Sequence, residues 1–176
     1  MDEAEINEDA DVEVVAGMVV ARLAELGATL ATAESLTGGR LARVLTDIAG
    51  ASVAFVGGVV TYATELKEEI LGVPREVIDG PGVISAECAE AMAEGVRRLT
   101  GATYALSTTG VAGPGLQEGK PVGTVFVAVA GPEGTVVRPA HLAGDRASIR
   151  RNSCVAALTA LVDLLDDARP DPPGEE

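Results

Sequence analysis

Aromatic side chains are nearly missing from this chain, since they make up only 2% of its 176 residues. Hydrophobic residues nevertheless account for 47%, and most of them are alanine, valine and leucine. An apolar fraction this high excludes an intrinsically disordered chain. A core of small and branched side chains suits strands that are covered by helices. The composition therefore predicts an α/β fold, namely a single-domain sandwich with a central mixed β-sheet flanked by helices.

Positive charge is also scarce, because 27 acidic residues outnumber 13 lysines and arginines and leave a net charge of −14. Nucleic-acid binding requires clustered basic residues, so the charge balance excludes that class of partner. The same balance disfavours docking on anionic membrane surfaces. No apolar run reaches the length of about 18 residues that a membrane-spanning helix needs. With an acidic N-terminus and no predicted signal peptide, we expect a cytoplasmic protein.

Side chains that bind metals are few. Histidine occurs once, as His141, and cysteine twice, as Cys88 and Cys154. A structural zinc site needs about four such ligands at characteristic spacings. These three residues are too few and too dispersed, so we predict no metal and no cofactor. Both cysteines fall in segments with helical periodicity, where we expect them to be buried as small hydrophobic side chains.

Composition along the chain predicts an acidic flexible N-terminus at 1–10, one folded domain at 11–166 and a disordered tail at 167–176. Apolar periodicity, capping residues and turn residues place the elements of the domain. The predicted helices are Val12–Leu26, a helix capped by Thr37 that runs to Gly50, Leu66–Leu71, a single turn after Pro74, Ser85–Leu99, and one opened by Asp145 or Ser148 that ends near Leu165. The predicted strands are Thr29–Ala33, Val53–Tyr62, Thr103–Ser107, Val122–Ala130 and Thr135–Leu142, the last two joined as a hairpin by Gly131–Gly134.

Gly57 and Gly58 interrupt the second predicted strand. Glycine inside a strand marks a β-bulge or a close approach of another part of the backbone, or else it separates two short strands. The sequence leaves these interpretations open. We include Gly58 among the candidate substrate-binding residues.

The scarcity of lysine singles out one position. Eleven arginines accompany only two lysines, and Lys67 follows the rare Tyr62 by five residues. A lysine amine can lose its proton when burial penalises its charge, whereas arginine stays charged. Ser35 lies at a predicted strand-to-helix turn, so Ser35 and Lys67 form a candidate nucleophile and general base, with Tyr62 to pass protons or hold the substrate. The alternative is that Lys67 is an ordinary surface lysine and Ser35 merely precedes a helix.

Thr37, Gly38 and Gly39 follow Ser35 at the predicted start of a helix. Unpaired backbone N–H groups at such a position can bind a phosphate or an oxyanion. These three residues are therefore candidate substrate-binding residues. The alternative is a capped helix with a flexible entry.

A second glycine-rich segment and a pair of arginines are also candidates for anion binding. Thr109, Gly110 and Gly113 follow a predicted strand, where backbone donors can wrap a phosphate or a ribose. Arg146 and Arg150 lie one helical turn apart at the start of the last helix and can hold an anion together. The alternative for the arginines is an ordinary charged face of a helix.

Taken in order, these motifs resemble one family. They are Ala33-Glu34-Ser35-x-Thr37-Gly38-Gly39, Phe55-x-Gly57-Gly58-x-x-x-Tyr62-x-x-x-x-Lys67, Leu71-Gly72-Val73, Gly82-Val83-Ile84-Ser85, Thr109-Gly110-x-Ala112-Gly113-Pro114, Lys120-Pro121-Val122-Gly123-Thr124-Val125 and Gly144-Asp145-Arg146. The chain resembles the C-terminal domain of the competence/damage-inducible CinA family, which includes stand-alone nicotinamide-nucleotide amidases. The likeness spans roughly residues 11 to 166 and keeps the order and spacing of the motifs.

The resemblance implies an α/β fold and the metal-independent hydrolysis of nicotinamide mononucleotide, a small-molecule nucleotide, to nicotinic acid mononucleotide and ammonia. It implies that Ser35 is the nucleophile, that Lys67 is its general base and that Tyr62 assists. By motif position, Arg146 is a candidate partner for the nucleotide phosphate. The resemblance also implies a homo-oligomer, a dimer or larger. Longer members of the family carry an extra N-terminal domain, for which we expect no room in this chain.

The chain departs from the family pattern at several positions. Leu36 stands where the family has cysteine, Ala63 and Thr64 replace a serine and an asparagine, and Gly115–Gln117 replaces a glycine pair after the proline. These changes leave the proposed dyad intact, and we expect them to affect substrate affinity. Two alternatives therefore stay open, a non-catalytic module that senses a pyridine nucleotide and an amidase that acts on a different carboxamide.

Overall fold

Capping and turn residues set the boundaries of the elements in the computed structural model, which describes residues 10–167. Ser85 accepts a hydrogen bond from the Cys88 N–H and caps a long helix that ends at Gly101, where φ is 70°. The elements in chain order are α1 (Ala10–Leu26), β1 (Leu30–Glu34), α2 (Arg40–Thr46), a 3₁₀ turn (Ala51–Val53), β2 (Phe55–Val60), α3 (Thr64–Leu71), α4 (Arg75–Asp79), α5 (Ala86–Thr100), β3 (Tyr104–Gly110), β4 (Thr124–Gly131), β5 (Gly134–His141) and α6 (Arg146–Asp167).

The strands form one sheet in the order β2-β1-β3-β4-β5. β1 pairs in parallel with β2 on one side and with β3 on the other. β3 and β4 are antiparallel, and so are β4 and β5, which a short turn joins as the predicted hairpin. The fold is therefore an α/β sandwich built on a mixed five-stranded sheet, as the sequence predicts.

The two faces of the sheet carry side chains of different size, because successive residues of a strand point to opposite faces. One face presents larger side chains, such as Leu30 and Leu106, and packs with α1, α2 and α6. The other face presents mainly alanines, such as Ala31 and Ala105, and packs with α3 and α5. The small side chains let α5 lie close to the sheet, and this brings α3 close to the end of β1.

Gly57 and Gly58 serve the pairing of β1 with β2 in two ways. The register shifts between the pairs Leu30–Phe55 and Ala31–Gly57, so that β2 carries one extra residue, and φ of Gly57 is 147°. A Cβ atom on Gly58 would lie 2.1 Å from Thr32 Oγ1. The predicted bulge and the predicted close approach are both confirmed, and the alternative of two short strands is wrong.

Two sequence predictions near α2 are wrong. Thr37 does not cap the helix, because Gly39 occupies the capping position with φ of 94° and the Thr37 hydroxyl bonds to Glu34 instead. The helix also ends at Thr46 and not at Gly50, since a 3₁₀ turn follows. The predicted flexible N-terminus and disordered tail lie almost entirely outside the described residues.

Asp145, one of the two predicted starts of the last helix, accepts a hydrogen bond from the Ser148 N–H at 2.8 Å and precedes α6. Cys88 and Cys154 are buried in α5 and α6, as predicted. Among the helices of the described chain, none combines the length and the apolar content that crossing a bilayer requires.

Candidate active site

The carboxyl ends of three parallel strands meet at one edge of the sheet. The chain leaves β1 for β2 on one side and later crosses to β3 on the other side, so the direction of the connections reverses at β1. Ligands of open α/β sheets bind in the crevice outside the strand ends at such a point. Ser35 follows β1, Tyr62 follows β2 and Thr109 lies near the end of β3. The topology therefore brings three of the predicted site residues to one place.

Glu34 fixes the turn that carries the candidate nucleophile. Its carboxylate is fully buried and accepts a hydrogen bond from the Thr37 hydroxyl at 2.6 Å. It also accepts from three backbone N–H groups at 2.8 to 3.1 Å, those of Gly39, Leu41 and Ala42. A negative charge is favourable at the start of a helix, and these four donors compensate its removal from water. The turn between β1 and α2 is thus organised around one buried side chain.

Four further contacts hold this turn against β3 and α6. The Ser35 N–H donates to the Thr108 carbonyl at 3.0 Å, and the Thr37 and Thr108 hydroxyls lie 2.8 Å apart. Arg150 donates to the carbonyls of Leu36 and Thr37 at 3.0 and 2.9 Å. Ser35 is therefore presented from a turn that two neighbouring elements restrain.

Lys67 reaches the candidate nucleophile from α3. Its side chain is only 1% exposed, and its Nζ lies 3.0 Å from Ser35 Oγ. Nζ also donates to the carbonyls of Thr61 and Tyr62, at 2.6 and 3.4 Å. The structure therefore brings together the two residues that the sequence predicts as nucleophile and base.

Burial lowers the pKa of Lys67 below that of a free lysine, because removal from water penalises the charged amine. Negative charge on Cys88, Glu118 and Glu65 acts in the opposite direction and raises it. Cys88 contributes only as a thiolate, and burial raises the pKa of Cys88 to about 11. The thiol is therefore neutral at pH 7. Desolvation is the largest effect on Lys67, and it favours the neutral amine.

The acceptors around Lys67 match the needs of a neutral amine. Such an amine has two N–H donors and one lone pair. The carbonyls of Thr61 and Tyr62 accept from two positions of Nζ, and the third position faces Ser35 Oγ. An ammonium donates to Oγ there, whereas a neutral amine has its lone pair there and can accept the hydroxyl proton. After the transfer, the same two carbonyls stabilise the ammonium. The arrangement therefore suits a general base that takes and returns one proton.

Ser35 and Lys67 open into a cleft of about 300 Å³, which is at the small end of the range for ligand pockets. Five other predicted site residues also line the cleft, namely Tyr62, Thr109, Gly110, Gly113 and Arg146. The remaining lining residues are Leu36, Thr64, Val83, Ile84, Val111, Ala112 and the segment 114–117. The walls therefore combine apolar and polar side chains, with the dyad at one side.

Arg146 links two sides of the cleft. Its guanidinium donates to the Gly113 carbonyl at 2.5 Å and to the Tyr62 hydroxyl at 3.0 Å. Arg146 and Tyr62 are both exposed, and the Tyr62 hydroxyl points to this arginine while its carbonyl faces Lys67. A cation is therefore available at the surface of the cleft.

Five predicted binding residues lie outside the lining of this cleft in the described chain, namely Thr37, Gly38, Gly39, Gly58 and Arg150. Arg150 and Thr37 hold the turn after β1, and Gly58 packs on β1. Gly38 and Gly39 border a separate surface hollow with three arginines, Arg150 among them. The structure therefore divides the predicted anion-binding residues into two groups.

The backbone donors near the dyad are also partly occupied. The Gly38 N–H donates to the Ser35 carbonyl, and the Gly39 N–H donates to Glu34. Neither is therefore available to an oxyanion without a change in the turn. Leu36, Ala112 and Gly113 are among the cleft-lining residues of the described chain whose N–H groups have no protein acceptor. These groups are candidate oxyanion donors.

Thr109 and Gly110 also stabilise the fold, through a hydrogen bond and a close packing contact respectively. The Thr109 hydroxyl donates to the Val83 carbonyl at 2.5 Å, which leaves its oxygen free only to accept. A Cβ atom on Gly110 would lie 2.5 Å from the Thr124 carbonyl oxygen. In addition, no three His, Cys, Asp or Glu side chains within the described residues come together as a metal site.

Sequence reasoning missed Glu34, Glu118 and Lys120. A charged residue at the end of an apolar strand is a signal for Glu34, because charge is buried only when it is compensated. Lys120 is the second of the two lysines, and the scarcity that singled out Lys67 applies to it equally. Glu118 and Lys120 both bind the segment that carries Val83 and Ile84 in the cleft wall.

Known proteins match this chain over nearly the whole described fold. A profile of the CinA C-terminal domain matches residues 12–165. A CinA-like protein of Frankia casuarinae is 55% identical over 142 residues, which cover 81% of this chain and 33% of that protein. A CinA-like protein of Geobacter sulfurreducens is 50% identical and covers 79% and 34%. The chain spans about a third of the length of the curated relatives it matches.

Solved structures match as well. The competence/damage inducible protein CihA from Agrobacterium tumefaciens has a TM-score of 0.84 at 36% identity, covering 88% of this chain and 95% of that one. The competence damage-inducible protein A from Klebsiella pneumoniae has a TM-score of 0.87 at 33% identity, covering 90% and 99%. With the sequence profile and the fold in agreement, the chain belongs to the CinA C-terminal domain family.

Proposed function

We propose that this protein deamidates nicotinamide mononucleotide to nicotinic acid mononucleotide and ammonia through an acyl-enzyme on Ser35. The observation that carries the proposal is the 3.0 Å separation between Lys67 Nζ and Ser35 Oγ, with Lys67 only 1% exposed. None of the ion pairs formed within residues 10–167 includes Lys67. A buried amine that is bonded to a hydroxyl and not paired with a carboxylate is placed for proton transfer.

The first half of the reaction acylates Ser35. Neutral Lys67 takes the hydroxyl proton while Oγ bonds to the carboxamide carbon, and the carbonyl oxygen becomes an oxyanion. The N–H groups of Leu36 and Ala112 are the proposed oxyanion donors, since both residues line the cleft. The Lys67 ammonium then gives its proton to the amide nitrogen. The carbon–nitrogen bond breaks, ammonia leaves, and an ester remains on Ser35.

The second half restores the enzyme. Lys67 is neutral again and takes a proton from water, whose oxygen attacks the ester carbon. The bond from that carbon to Oγ breaks, and Lys67 returns the proton to Ser35. The products are the nucleotide acid and free enzyme. General-base assistance of this kind contributes about 10²–10⁴-fold to a rate.

The cleft has features that suit a pyridine nucleotide. Leu36, Val83 and Ile84 offer apolar surface for the ring near the dyad. Arg146 offers a guanidinium that can exchange its contacts with Gly113 and Tyr62 for a phosphate, and arginine binds phosphate in a bidentate manner. Nicotinamide mononucleotide carries both matching groups, a carboxamide for the dyad and a phosphate for Arg146.

Release of ammonia from nicotinamide mononucleotide tests the proposal. We expect turnover by the wild type and a loss of about 10³-fold or more in Ser35→Ala, because that change removes the hydroxyl bonded to Lys67. Lys67→Arg should lose a similar factor, since arginine keeps its charge and cannot act as a base. Ser52→Ala is the matched control, because Ser52 is exposed in the 3₁₀ turn. Circular dichroism shows whether each variant is folded.

Three other outcomes separate the alternatives. Substantial turnover by folded Ser35→Ala contradicts the mechanism. Calorimetric binding of the nucleotide without ammonia release by the wild type favours the non-catalytic sensor. Ser35-dependent ammonia release from a different carboxamide retains the mechanism and replaces the substrate.

A further inference from the structure

A short hairpin closes the glycine-rich loop that forms one wall of the cleft. The backbones of Gln117 and Lys120 exchange two hydrogen bonds, at 2.9 and 3.2 Å. The turn between them has positive φ at both residues, 50° at Glu118 and 72° at Gly119. Among the described residues, Glu118 alone adopts a positive φ without being glycine. A non-glycine residue in this region is uncommon and signals a constraint.

Glu118 uses this conformation to bind the opposite segment. Its two carboxylate oxygens accept from the N–H groups of Val83 and Ile84, each at 3.2 Å. A Cβ atom on Gly82 would lie 2.5 Å from Glu118 Oε2, and φ of Gly82 is 89°. Glycine at 82 therefore lets the carboxylate approach two consecutive backbone donors just before α5.

Lys120 binds the carbonyl groups of the same segment. Its Nζ donates to the Pro81 carbonyl at 3.3 Å and to the Ile84 carbonyl at a short distance. Glu118 and Lys120 thus bind the N–H and the carbonyl groups of one stretch, 81–84, from one hairpin. We refer to this arrangement as the Glu118–Lys120 clasp.

The clasp joins two walls of the cleft. Residues 113–117 line it from the glycine-rich loop, and Val83 and Ile84 line it from the segment before α5. The Thr109 hydroxyl adds a third tie to the Val83 carbonyl. The negative charge of Glu118 also raises the pKa of Lys67. The other groups that act on this amine are Cys88 and Glu65.

We propose that Glu118 and Lys120 are positioning residues of the amidase, which hold the cleft walls in register. This inference rests on the proposed function. Both residues should contribute to substrate binding through the walls. The Glu118 charge, which raises the pKa of Lys67, provides a further readout of its position.

Two variants separate the two effects. Glu118→Gln replaces one acceptor oxygen of the clasp by an NH₂ donor, and Lys120→Met removes the amine of the clasp. Each should therefore raise KM for nicotinamide mononucleotide by about tenfold or more, with a smaller change in kcat. Removing the Glu118 charge should lower the pKa of Lys67 further. Since the neutral amine is the active form, the acidic limb of the kcat profile should move to lower pH in Glu118→Gln. Lys120→Met should not show this shift.

The same titration can be followed without turnover. The chain contains only two lysines, so a protein labelled with ¹³Cε-lysine gives two side-chain NMR signals, and Lys120→Met assigns the signal of Lys67. Its titration midpoint should fall in Glu118→Gln and stay unchanged in Glu133→Gln. Glu133 is a matched control, because it lies exposed in the turn between β4 and β5, outside the cleft lining within the described chain.

The outcomes distinguish this inference from the proposed function. An unchanged Lys67 midpoint in folded Glu118→Gln overturns the role of its charge. Unchanged KM in both clasp variants of an active enzyme overturns the positioning role. The two proposals can also fail separately. If the Lys67 midpoint falls in Glu118→Gln but the wild-type protein releases no ammonia, the action of Glu118 on Lys67 is supported and the amidase function is contradicted.

Discussion

Glu34 and Lys67 are both buried in the site, and the structure compensates their burial in different ways. Glu34 is surrounded by four donors, so its carboxylate replaces water with protein hydrogen bonds. Lys67 has two carbonyl acceptors and a hydroxyl, and burial lowers its pKa. The first arrangement holds a charge in place, and the second prepares a group to change its charge. Ser35 lies next to both.

Sequence reasoning found Ser35 and Lys67 because rarity and motif spacing mark them. A charge at the end of an apolar strand marks Glu34, but its partners cannot be identified from the sequence, because most of them are backbone N–H groups, which look alike in every sequence. Glu118 was missed for the same reason, since it binds the N–H groups of Val83 and Ile84. A hydrogen bond to the backbone does not depend on the side chain of the partner residue, so the sequence does not indicate which residues are partners.

Glu34→Gln should destabilise the fold and reduce activity together. The amide offers one acceptor oxygen and brings a donor NH₂ group towards N–H groups that need acceptors. Leaving such donors unsatisfied in the interior should lower the free energy of unfolding by about 3 kcal/mol. Because the turn also carries Ser35, kcat should fall more than KM rises. Urea unfolding and ammonia release measure the two effects.

Glu87→Gln is the matched control for Glu34→Gln. Glu87 lies in the first turn of α5, as Glu34 lies before α2, but its side chain is exposed. We expect a change within about 0.5 kcal/mol there. A Glu34→Gln protein as stable as this control would show that the buried hydrogen bonds contribute little.

At the scale of elements, the sequence predicts the helices and strands well where caps and glycines are local signals. Ser85 and Gly101 mark the two ends of α5, and Asp145 marks the start of α6. The sequence prediction is wrong at the start of α2. The backbone N–H groups there donate to Glu34 of the preceding strand and not to Thr37, whose own hydroxyl donates to Glu34. The sequence also cannot tell a glycine that binds ligand from one that permits packing, as Gly58 shows.

The contact between α3 and α5 depends on a glycine in the same way. A Cβ atom on Gly95 of α5 would lie 2.1 Å from the Leu71 carbonyl oxygen of α3. Because α3 carries Lys67, any displacement of this helix moves the amine relative to Ser35. The position of Lys67 is therefore fixed partly by a residue in the neighbouring helix.

Gly95→Ala should lower the free energy of unfolding by about 1–3 kcal/mol, because the added methyl group pushes α3 from α5. Activity should fall as well, since Lys67 moves with α3. Gly17→Ala is the opposite case, because a Cβ atom on Gly17 of α1 would meet nothing within 4 Å. Alanine favours a helix over glycine, so this variant should gain about 0.5–1 kcal/mol. Denaturant unfolding of both variants checks the signs, and a stabilising Gly95→Ala would contradict the packing argument.

At the scale of the whole molecule, the site arises from the order of the strands. Ser35, Tyr62 and Thr109 are far apart in sequence and meet because β1 lies between β2 and β3. Composition and local patterns predict an α/β sandwich, but they do not specify which strands are neighbours. The resemblance to a family related the motifs to one site without giving the strand order, and the sheet shows why the motifs meet.

The net charge of −14 should make stability depend on salt. Like charges repel one another in the compact state, and raising sodium chloride from about 0.1 M to about 1 M shortens the Debye length from about 10 Å to about 3 Å. The same salt weakens the surface ion pairs, but pairs such as Arg75–Asp79 are exposed and contribute only about 0–1 kcal/mol each. Relief of repulsion should therefore prevail, and the thermal midpoint should rise with salt. Calorimetry in sodium chloride checks this, since sulfate would also strengthen apolar burial. A midpoint that falls with salt would show that the ion pairs outweigh the repulsion.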